Sequence, residues 1–400
     1  MNPNIQKLFN IATKQDRVII GLMSGTSLDG LDIALCRIQG SGKDSKVELM
    51  HFETIEYTEA FRLEIRSVFA KKNIELEKLC LLNPRIALLH AGMIKEFLDR
   101  VNFSFDEIDL IASHGQTVYH APQRSRRKDN TGNATLQIGD GDHLAVATGI
   151  ITISDFRQKH IAAGGEGAPL AVYGDRILFS AANEDRILLN IGGIANFTFL
   201  PGRRGDEKMI CTDTGPGNTM MDAVIQKHFP GKHFDEGAEV AKKGILNKSL
   251  LSALKDDDFF KQSFPKTTGP ELFNLDYLAA AQQKSGTYAL SVEDTMATLN
   301  KFSADMIAEA IVACVKHTSD VKIFVSGGGM RNPLLMQHLE KQLSACSFHT
   351  TAELGIDPGA KEAVLFAILA NECVCGDPAL PVGQFEDVPS VSMGKISFPT

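Results

Sequence analysis

The sequence predicts an α/β fold in two halves, and three glycine-rich junctions lead to that prediction. Two of them are strand–glycine–strand hairpins, at residues 21–38 and at residues 186–200. The third lies at residues 322–333, where an apolar strand leads through three successive glycines into a helix. Runs of β-branched and aliphatic residues are typical of buried strands. Because the two hairpins lie far apart in the chain, each is expected to belong to its own half.

The first hairpin has the composition of a phosphate-binding turn. Its predicted strands are residues 18–23 and 31–38, and none of the four residues at 24–27 carries a bulky side chain. Phosphate groups can approach such a backbone closely and accept hydrogen bonds from its N–H groups. An ordinary tight turn between two core strands is the alternative for the same residues.

A P-loop NTPase is disfavoured by this hairpin. The spacing from Gly25 to Gly30 imitates a P-loop, but Leu31 and Asp32 stand where Lys and Ser or Thr are required. A strand also follows the turn, whereas a helix follows a P-loop.

The second hairpin and the third junction are further glycine-rich turns of the kind that suits phosphate groups. Residues 186–193 and 194–200 are predicted strands around a glycine pair, and an Asp-Thr-Gly-Pro-Gly-Asn turn follows at residues 213–218. At the third junction, Asn332 suits a helix N-cap and Pro333 suits the first helical position. A glycine-rich turn that leads into a helix N-terminus is a favourable place for anionic groups.

Two long helices are predicted in the second half of the chain. Apolar residues at helical spacing indicate a helix over residues 293–315, with Ser291 and Asp294 as a capping box. Its apolar stripe is interpreted as core. A final helix is predicted at residues 359–374.

Composition is that of an ordinary globular chain of two or three domains. The 400 residues are 44% hydrophobic and 22% charged. No apolar run reaches the length of about 18 residues that a membrane span needs, and the N-terminal residues lack the apolar stretch of a signal peptide. A cytoplasmic protein is therefore expected.

Charge, cysteine and histidine patterns exclude several functional classes. A net charge of −8 gives no general attraction to nucleic acid or to anionic membranes. The basic cluster at residues 124–128 lacks aromatic neighbours and is interpreted as a solvated loop. The seven cysteines include no C-x-x-C pair, and the eleven histidines include no H-E-x-x-H pair, so neither a disulfide framework nor a metal site is indicated.

Eight motifs resemble those of one kinase family. In chain order they are MSGTSLDGLD (23–32), SHGQT (113–117), QIGDG (137–141), DFR (155–157), AAGGEGAPL (162–170), NIGGIAN (190–196), DTGPGN (213–218) and SGGGMRN (326–332). The hairpins, the acidic turn and the late junction together resemble the actin-like and sugar-kinase ATPase superfamily. Within it, the motifs resemble the anhydro-N-acetylmuramic acid kinase family, from about residue 17 to the C-terminus.

The resemblance implies a two-domain actin-like ATPase fold of the ribonuclease H-like class, with an interdomain cleft. The strand-like segment 144–154 is interpreted as the crossing between the halves. The predicted N-terminal domain is residues 1–156 plus 378–400, because the family's C-terminal tail returns to pack on it. The predicted C-terminal domain is residues 157–377, with the second hairpin, the catalytic aspartate and the adenosine motif.

The resemblance also implies that ATP binds across the glycine-rich turns. Hydroxyl and backbone groups of both hairpins are expected at the phosphates, and the late junction is expected at the adenosine. Asp29 or Asp32 is the expected contact for Mg²⁺, because this ion requires oxygen ligands. The expected nucleotide-binding residues are Ser24, Gly25, Thr26, Ser27, Leu28, Asp29, Gly30, Asp32, Asn190, Gly192, Gly193, Asn196, Gly327, Gly328, Gly329 and Asn332.

Asp213 matches the family's catalytic aspartate and is the predicted general base. It ends a predicted strand, MICTD, and a Gly-Pro-Gly turn follows it. The family reaction needs a base because water attacks the anomeric carbon of a 1,6-anhydro sugar. An aspartate that accepts the N–H of Gly215 or Gly217 in an Asx turn is the structural alternative.

Further family positions surround the sugar. They are Gln116, Gln137, Asp155, Arg157, Gly164, Gly165 and Glu362. Arg157 has the planar fork to hold a lactyl carboxylate with two hydrogen bonds. For the side chains among these residues, a structural strut between domains is the alternative. His160 stands where the family often has Asp, so no role is assigned to it.

The resemblance implies an ATP-dependent kinase that opens 1,6-anhydro-N-acetylmuramic acid with water and phosphorylates O6. The product would be N-acetylmuramic acid 6-phosphate, in peptidoglycan recycling. One alternative is a levoglucosan-type anhydro-sugar kinase of the same fold, and another is a non-catalytic actin-like ATP-binding module. The expected partner is a small amino sugar, with no nucleic acid and no membrane, and a homodimer is left open.

Overall fold

The computed structural model describes residues 1–25, 28–121, 132–168, 170–202, 209–315, 320–357, 359–377, 389 and 391–400. These residues form two compact units. Unit 1 comprises Met1–Phe179 and Gly355–Thr400, and unit 2 comprises Ser180–Leu354. Among the described residues, no helix has both the length and the apolar character needed to cross a membrane.

Helices and strands alternate along much of the chain. The strands are β1 (Asp16–Ser24), β2 (Gly30–Gln39), β3 (Lys46–Glu56), β4 (Leu110–Ala121), β5 (Ala134–Ile138), β6 (Thr152–Ser154), β7 (Arg186–Ile191), β8 (Ile194–Leu200), β9 (Ile210–Pro216), β10 (Lys322–Ser326), β11 (Ser347–Thr350) and β12 (Lys395–Ser397). The helices are α1 (Pro3–Thr13), α2 (Glu59–Arg66), α3 (Leu76–Val101), α4 (Gly141–Thr148), α5 (Phe156–Ala162), α6 (Ala171–Phe179), α7 (Thr219–His228), α8 (Lys248–Lys255), α9 (Asp258–Lys261), α10 (Leu275–Ser285), α11 (Val292–Cys314), α12 (Pro333–Gln342) and α13 (Lys361–Cys375).

The sheets of the two units share one strand order. In unit 1 the order is β12-β6-β4-β1-β2-β3, with β5 paired to β4, and in unit 2 it is β11-β10-β7-β8-β9. In each unit the first three strands form an antiparallel meander. Two further strands then continue the sheet in parallel from the first strand. This is the strand order of ribonuclease H-like domains, so the predicted fold class is confirmed.

The shared order places the two hairpin turns at equivalent edges. β1 runs parallel to β4, and Ser24 at its end is in register with Gln116. β7 runs parallel to β10, and Asn190 near its end is in register with Ser326. Ligands of open α/β sheets bind outside the carboxyl ends of the strands. The hairpin turns that sequence analysis singled out lie at those ends.

The hydrophobic cores explain why these strands are apolar. In unit 1, buried residues of β1 and β2 pack with α3 residues such as Ile86 and Phe97. In unit 2, the β7, β8 and β10 strands pack against the buried face of α11. A second cluster of unit 2 joins the other face of α11 to α7, α8 and α10.

The predicted long helices are confirmed. α11 and α13 lie within two residues of their predicted bounds. Ser291 caps α11 by accepting the Asp294 N–H at 3.0 Å. The Asp294 carboxylate does not complete the predicted box in this way, because it accepts the Ile245 N–H at 2.6 Å. The tail also returns to unit 1, where β12 pairs with β6.

The prediction of a strand over residues 144–154 is wrong for its first part. Asp140 accepts the N–H groups of Asp142 and His143 and so caps a helix, α4. Gly149 ends that helix in the left-handed region, with φ +73°. Within residues 144–154 only β6 is extended. The apolar residues of the short helix α4 lie so close to those of β6 in the sequence that together they resemble one strand.

The units have different boundaries from the predicted domains. Residues 157–179 and 355–377 were assigned to the C-terminal domain, but they pack in unit 1. The reason is α13, whose apolar residues are buried against the unit 1 sheet. A Cβ on Gly21 of β1 would lie 1.9 Å from the carbonyl oxygen of Ala363, so helix and strand are in backbone contact.

Candidate functional site

The first hairpin turns tightly at the end of β1. Leu28 has φ +60° and its N–H donates to the Gly25 carbonyl at 3.4 Å. Gly30 is required by close packing, because a Cβ there would lie 2.5 Å from the carbonyl oxygen of Ile55. Thr26 and Ser27, both predicted to bind phosphate, lie outside the described residues.

Ser24 and Gln116 are engaged with each other beneath this turn. The Ser24 hydroxyl donates to Gln116 Oε1 at 2.5 Å. Gln116 Nε2 donates to the carbonyls of Gly25 and Thr117, each at 3.2 Å. Ser24 is 1% exposed and Gln116 is 0% exposed. They are placed as supports of the hairpin, and their predicted contacts with phosphate and sugar stay predictions.

Two carboxylates follow the turn. Asp29 is exposed, and Asp32 is half-buried and accepts the Thr54 hydroxyl at 2.5 Å. Burial raises the pKa of Asp32, and the nearby charge of Asp29 raises it further. Neighbouring carboxylates that repel each other suit a hard cation, and their oxygen donors are those that Mg²⁺ prefers. In the described part of the chain, no cluster of three or more His, Cys, Asp or Glu residues could hold a metal by itself.

The second hairpin is tied to the turn that follows β9. Gly217 N–H donates to the Gly193 carbonyl at 2.8 Å, and Asn218 N–H donates to the Gly192 carbonyl at 2.9 Å. A Cβ on Gly217 would lie 2.3 Å from that Gly192 oxygen. The N–H groups of Gly192 and Gly193 meet no protein acceptor among the described residues. Exposed N–H groups on a fixed turn suit an anionic ligand.

Packing against β7 accounts for two of the three glycines at the late junction. Gly327 has φ +83°, and a Cβ there would lie 2.7 Å from Asn190 Oδ1. A Cβ on Gly329 would lie 2.2 Å from Ile191 Cγ2. Gly328 is exposed, and the nearest atom to a Cβ built on it is 4.0 Å away. Gly328 therefore leaves open surface at this junction, and its contact with adenosine stays a prediction.

Asn332 caps α12 as predicted. Its Oδ1 accepts the Leu335 N–H at 3.0 Å and the Asn300 side chain at 3.0 Å. Asn332 is buried, with 9% of its surface exposed. This side-chain oxygen has a structural role, and contact with adenosine stays a prediction.

Asp213 lies inside β9, not at its end. The strand continues through Gly215, with φ +136°, to Pro216, which is in register with Ile194. The prediction of a turn directly after Asp213 is therefore wrong. The register shifts at this point, because Ala195 faces Gly215 while Asn196 faces Asp213, so Thr214 is an extra, bulged residue of β9.

A neighbouring segment holds the Asp213 carboxylate. The Thr268 N–H donates to Asp213 Oδ2 at 2.8 Å, and the Asp213 N–H donates to the Lys266 carbonyl at 3.0 Å. The Asx-turn alternative named the N–H of Gly215 or Gly217, and for Gly217 it is wrong, because that N–H donates to the Gly193 carbonyl. The Thr268 N–H thus fixes one carboxylate oxygen, and the role of general base stays a prediction.

Lys266 anchors the segment through an aromatic cage. Its ammonium lies 4.5 Å from the ring centroid of Phe259 and 4.4 Å from that of Phe264, and it donates to the Phe259 carbonyl at 3.1 Å. Burial lowers the pKa of Lys266. Cation–π contacts of a desolvated ammonium contribute about 2 kcal/mol or more.

Arg157 is held by two acceptors in unit 1. Its Nε donates to His114 Nε2 at 2.9 Å, and its Nη1 donates to the Gly167 carbonyl at 2.7 Å. Because the Nε–H points at His114, the guanidinium cannot offer its Nε and Nη2 edge to a substrate carboxylate. Burial lowers the pKa of Arg157, and the charge of Glu362 opposes that effect.

Glu362 at the start of α13 has a perturbed acidity. Removal of water by the surrounding protein raises its pKa, the Arg157 charge lowers it, and the Asp32 charge raises it. Within unit 1, the charges of Arg157 and Asp32 therefore both act on the Glu362 carboxyl group. Sequence analysis had placed Arg157 and Glu362 in the other domain.

His160 holds the loop around Gly164 and Gly165. His160 Nδ1 accepts the Gly167 N–H at 2.9 Å, and burial lowers its pKa to about 4. A Cβ on Gly165 would lie 2.2 Å from the His160 ring, so the loop rests on the imidazole. His160, left without a role by sequence analysis, supports this glycine loop as a neutral acceptor.

Gln137 and Asp155 lie at a polar cavity of about 280 Å³ in unit 1. Gln137 Nε2 donates to the hydroxyls of Thr117 and Thr135 at 3.1 and 2.9 Å. Asp155 has φ +56° and pairs with Lys395 of β12. The structure gives both residues intramolecular partners, and their sugar contacts stay predictions.

The predicted site residues divide between the two units. Those described in unit 1 are Ser24, Gly25, Leu28, Asp29, Gly30, Asp32, Gln116, Gln137, Asp155, Arg157, Gly164, Gly165 and Glu362, and those in unit 2 are Asn190, Gly192, Gly193, Asn196, Asp213, Gly327, Gly328, Gly329 and Asn332. Sequence analysis missed Tyr57, Lys266 and Thr268, which contact site residues through the tertiary fold, and His90, which contacts Tyr57. No local pattern marks them.

Comparisons with known proteins agree with the motifs. A family model described as "Anhydro-N-acetylmuramic acid kinase" matches residues 17–391. A protein of that name from Pseudoalteromonas atlantica is 53% identical over 401 residues, covering 100% of both chains. Another from Caldanaerobacter subterraneus subsp. tengcongensis is 38% identical, covering 98% of this chain and 100% of its own.

One solved structure illustrates the distant fold relatives. The chain resembles a ROK family glucokinase from Streptomyces griseus in complex with glucose and AMPPNP, at 11% identity and a TM-score of 0.34, with 88% of this chain and 98% of that chain covered. Nothing about the site follows from so low a similarity. The family match and the full-length relatives show that the chain belongs to the anhydro-N-acetylmuramic acid kinase family.

Proposed function

We propose that this chain is a sugar kinase that opens 1,6-anhydro-N-acetylmuramic acid and phosphorylates O6 with ATP. The product is N-acetylmuramic acid 6-phosphate, an intermediate of peptidoglycan recycling. The observation that carries the proposal is the 53% identity, over the whole chain, to a relative named anhydro-N-acetylmuramic acid kinase.

Asp213 is assigned the general base. A water oxygen forms a bond to the anomeric carbon while the bond from that carbon to O6 breaks. O6 takes the γ-phosphoryl group, ADP leaves, and Asp213 accepts the proton of the water. The bond from the Thr268 N–H to Oδ2 at 2.8 Å supports this role, because it fixes the carboxylate without neutralising it.

The nucleotide is assigned to the glycine-rich turns. N–H groups of Gly192 and Gly193 would donate to phosphate oxygens, and Gly328 offers open space to the base. Asp29 and Asp32 would hold Mg²⁺, which neutralises phosphate charge in such reactions. Use of ATP also favours a cytoplasmic location, and a homodimer stays a prediction.

The sugar is assigned to the group around Arg157 in unit 1. Arg157 and Glu362 influence each other's pKa values, and Gly164 and Gly165 lie in the loop that His160 supports. Because the Arg157 Nε–H donates to His114, a lactyl carboxylate would accept hydrogen bonds from the Nη atoms of Arg157. Two hydrogen bonds to the carboxylate, one from each Nη atom, would keep the predicted bidentate contact.

Replacement of Arg157 by Lys is expected to lower kcat/KM for the sugar by at least about 10-fold. Lysine keeps the charge but cannot bond His114 and Gly167 together, and a hydrogen bond to a charged group contributes about 1.5–3 kcal/mol. Steady-state kinetics with sugar and ATP varied separately would measure this. Arg100→Lys is the control, since Arg100 also binds two partners, Glu53 and Glu96, but on the surface. An equal loss for both nucleotide and sugar would argue against a role toward the sugar.

A substrate panel tests the reaction itself. ATP would be incubated in ¹⁸O-water with the anhydro sugar, open N-acetylmuramic acid, an anhydro amino sugar without the lactyl group, and levoglucosan. We expect the anhydro sugar to gain one water and one phosphoryl group. A promptly read mass spectrum should show ¹⁸O at the anomeric hydroxyl and none in the phosphoryl group.

The other outcomes separate the alternatives. Efficient phosphorylation of the open sugar, with the anhydro form inert, would overturn the water-addition step. Preference for levoglucosan would favour the levoglucosan-type kinase. No sugar-dependent formation of ADP would favour a non-catalytic ATP-binding module.

A further inference from the structure

Four buried polar side chains form one hydrogen-bonded row beneath the first hairpin. His90 of α3 contacts the hydroxyl of Tyr57, which follows β3, with 2.7 Å between Nε2 and the oxygen. The Tyr57 hydroxyl donates to Ser24 at 2.8 Å, and Ser24 donates to Gln116 at 2.5 Å. Tyr57 is 3% exposed and His90 is 1% exposed. Buried rows of this kind stabilise one geometry when every member is satisfied.

The direction of each bond in the row is determined. Gln116 Nε2 donates to two carbonyls, so Gln116 Oε1 is the atom that faces Ser24. Ser24 then gives its only proton to Gln116, and Tyr57 gives its only proton to Ser24. His90 must therefore donate to Tyr57 from a protonated Nε2.

The inferred tautomer of His90 agrees with its surroundings. Its Nδ1 is buried and has no hydrogen-bond partner among the described residues. An unprotonated Nδ1 avoids burying an N–H without an acceptor. Burial also lowers the pKa of His90 to about 3, so the ring is neutral at physiological pH.

Tyr57 contacts both ends of the first hairpin turn. Its hydroxyl supports Ser24, before the turn, while its backbone N–H donates to the Asp29 carbonyl, after the turn, at 3.0 Å. Gln116 extends the support to the Gly25 carbonyl. The row therefore joins helix α3 to the two ends of the hairpin turn.

We propose that Tyr57 and His90 are positioning residues for nucleotide binding, because they fix the two ends of the hairpin turn, at Ser24 and at Asp29. The proposal rests on the proposed function for the identity of the ligand. Neither residue touches the nucleotide in this account. Preorganised donors give binding energy without the cost of ordering the loop in the complex.

Tyr57→Phe is the decisive variant, since it removes one hydroxyl and keeps the backbone bond to Asp29. We expect the dissociation constant for a non-hydrolysable ATP analogue, measured by calorimetry, to rise about 10-fold. This corresponds to one buried group left unsatisfied. KM for ATP should rise in parallel, and KM for the sugar should stay within about twofold.

His90 provides a conservative pair of variants. His90→Gln places an amide N–H where Nε2–H stands and should bind the analogue within about twofold of the unmodified protein. His90→Leu removes the donor and should resemble Tyr57→Phe. If His90→Leu fails to fold, Tyr57→Phe and His90→Gln still decide the matter.

Two controls separate positioning from general stability. Tyr119→Phe removes another hydroxyl at the same core, and Ile65→Val removes a methylene from the buried cluster. Both should leave nucleotide affinity unchanged. The proposal is overturned if Tyr57→Phe binds the analogue with normal affinity. It is also overturned if Tyr57→Phe and Ile65→Val have the same melting temperature and bind the analogue equally weakly.

The two proposals can fail separately. If the unmodified protein turns over the anhydro sugar but Tyr57→Phe keeps normal nucleotide affinity, only the positioning role fails. If no anhydro sugar is phosphorylated but the Tyr57→Phe and His90 variants change nucleotide affinity as expected, the positioning role stands and the sugar assignment fails.

Discussion

Asp213→Asn is expected to lower kcat by roughly 10²- to 10⁴-fold, the range for loss of a general base. Asparagine keeps an oxygen that can accept the Thr268 N–H, so the segment at 266–268 should stay in place. What is lost is the negative charge and the ability to take a proton from water. Nucleotide affinity should change little, and single-turnover assays with the anhydro sugar would measure the chemical step.

Asp294→Asn is the matched control for this variant. Asp294 also accepts a backbone N–H, that of Ile245, but it lies in the first turn of α11 and is assigned no catalytic role. We expect it to keep normal kcat. Near-normal turnover by Asp213→Asn, or joint loss of nucleotide binding and folding, would remove Asp213 from the role of base.

Gly21→Ala is expected to destabilise unit 1 by about 3 kcal/mol, the upper end for overpacking in a core. The added Cβ would lie 1.9 Å from the Ala363 carbonyl oxygen and 3.0 Å from the Ala367 nitrogen. These are backbone atoms of α13, so relief requires the whole helix to move away from β1. Scanning calorimetry should show a melting transition lowered by roughly 5–10 °C.

Gly92→Ala provides the opposite case within the same unit. Gly92 lies inside α3, and a Cβ there has no neighbour within 4 Å. Because alanine is a better helix former by about 1 kcal/mol, this variant should be neutral or slightly stabilising. Similar melting temperatures for the two variants would mean that α13 does not pack on β1 as described.

The sequence was informative where one local signal decided the structure. β-branched runs around glycine pairs predicted both hairpins, and Asn332 before Pro333 predicted the start of α12. It failed where local signals conflicted. The apolar residues after Leu144 suggested a strand, but the Asp140 cap and Gly149 make the first part a helix.

Other features depended on contacts that no local pattern contains. The assignment of α13 to unit 1 follows from its packing on β1, far away in sequence. Likewise, nothing near Tyr57 indicates that its hydroxyl meets Ser24, or that Thr268 meets Asp213. The motifs identified most candidate residues, but the groups that hold them in place appear only in three dimensions.

The chain's path through its two units affects the order of events during synthesis. Unit 2 is one continuous segment, whereas unit 1 is completed by Gly355–Thr400 at the other end of the chain. On the ribosome, all of unit 2 therefore emerges before α13 does. Domains generally fold as units as they are made. Until α13 arrives, the face of β1 at Gly21 has no helix to cover it, so the first half of the molecule to be translated is the last to be finished.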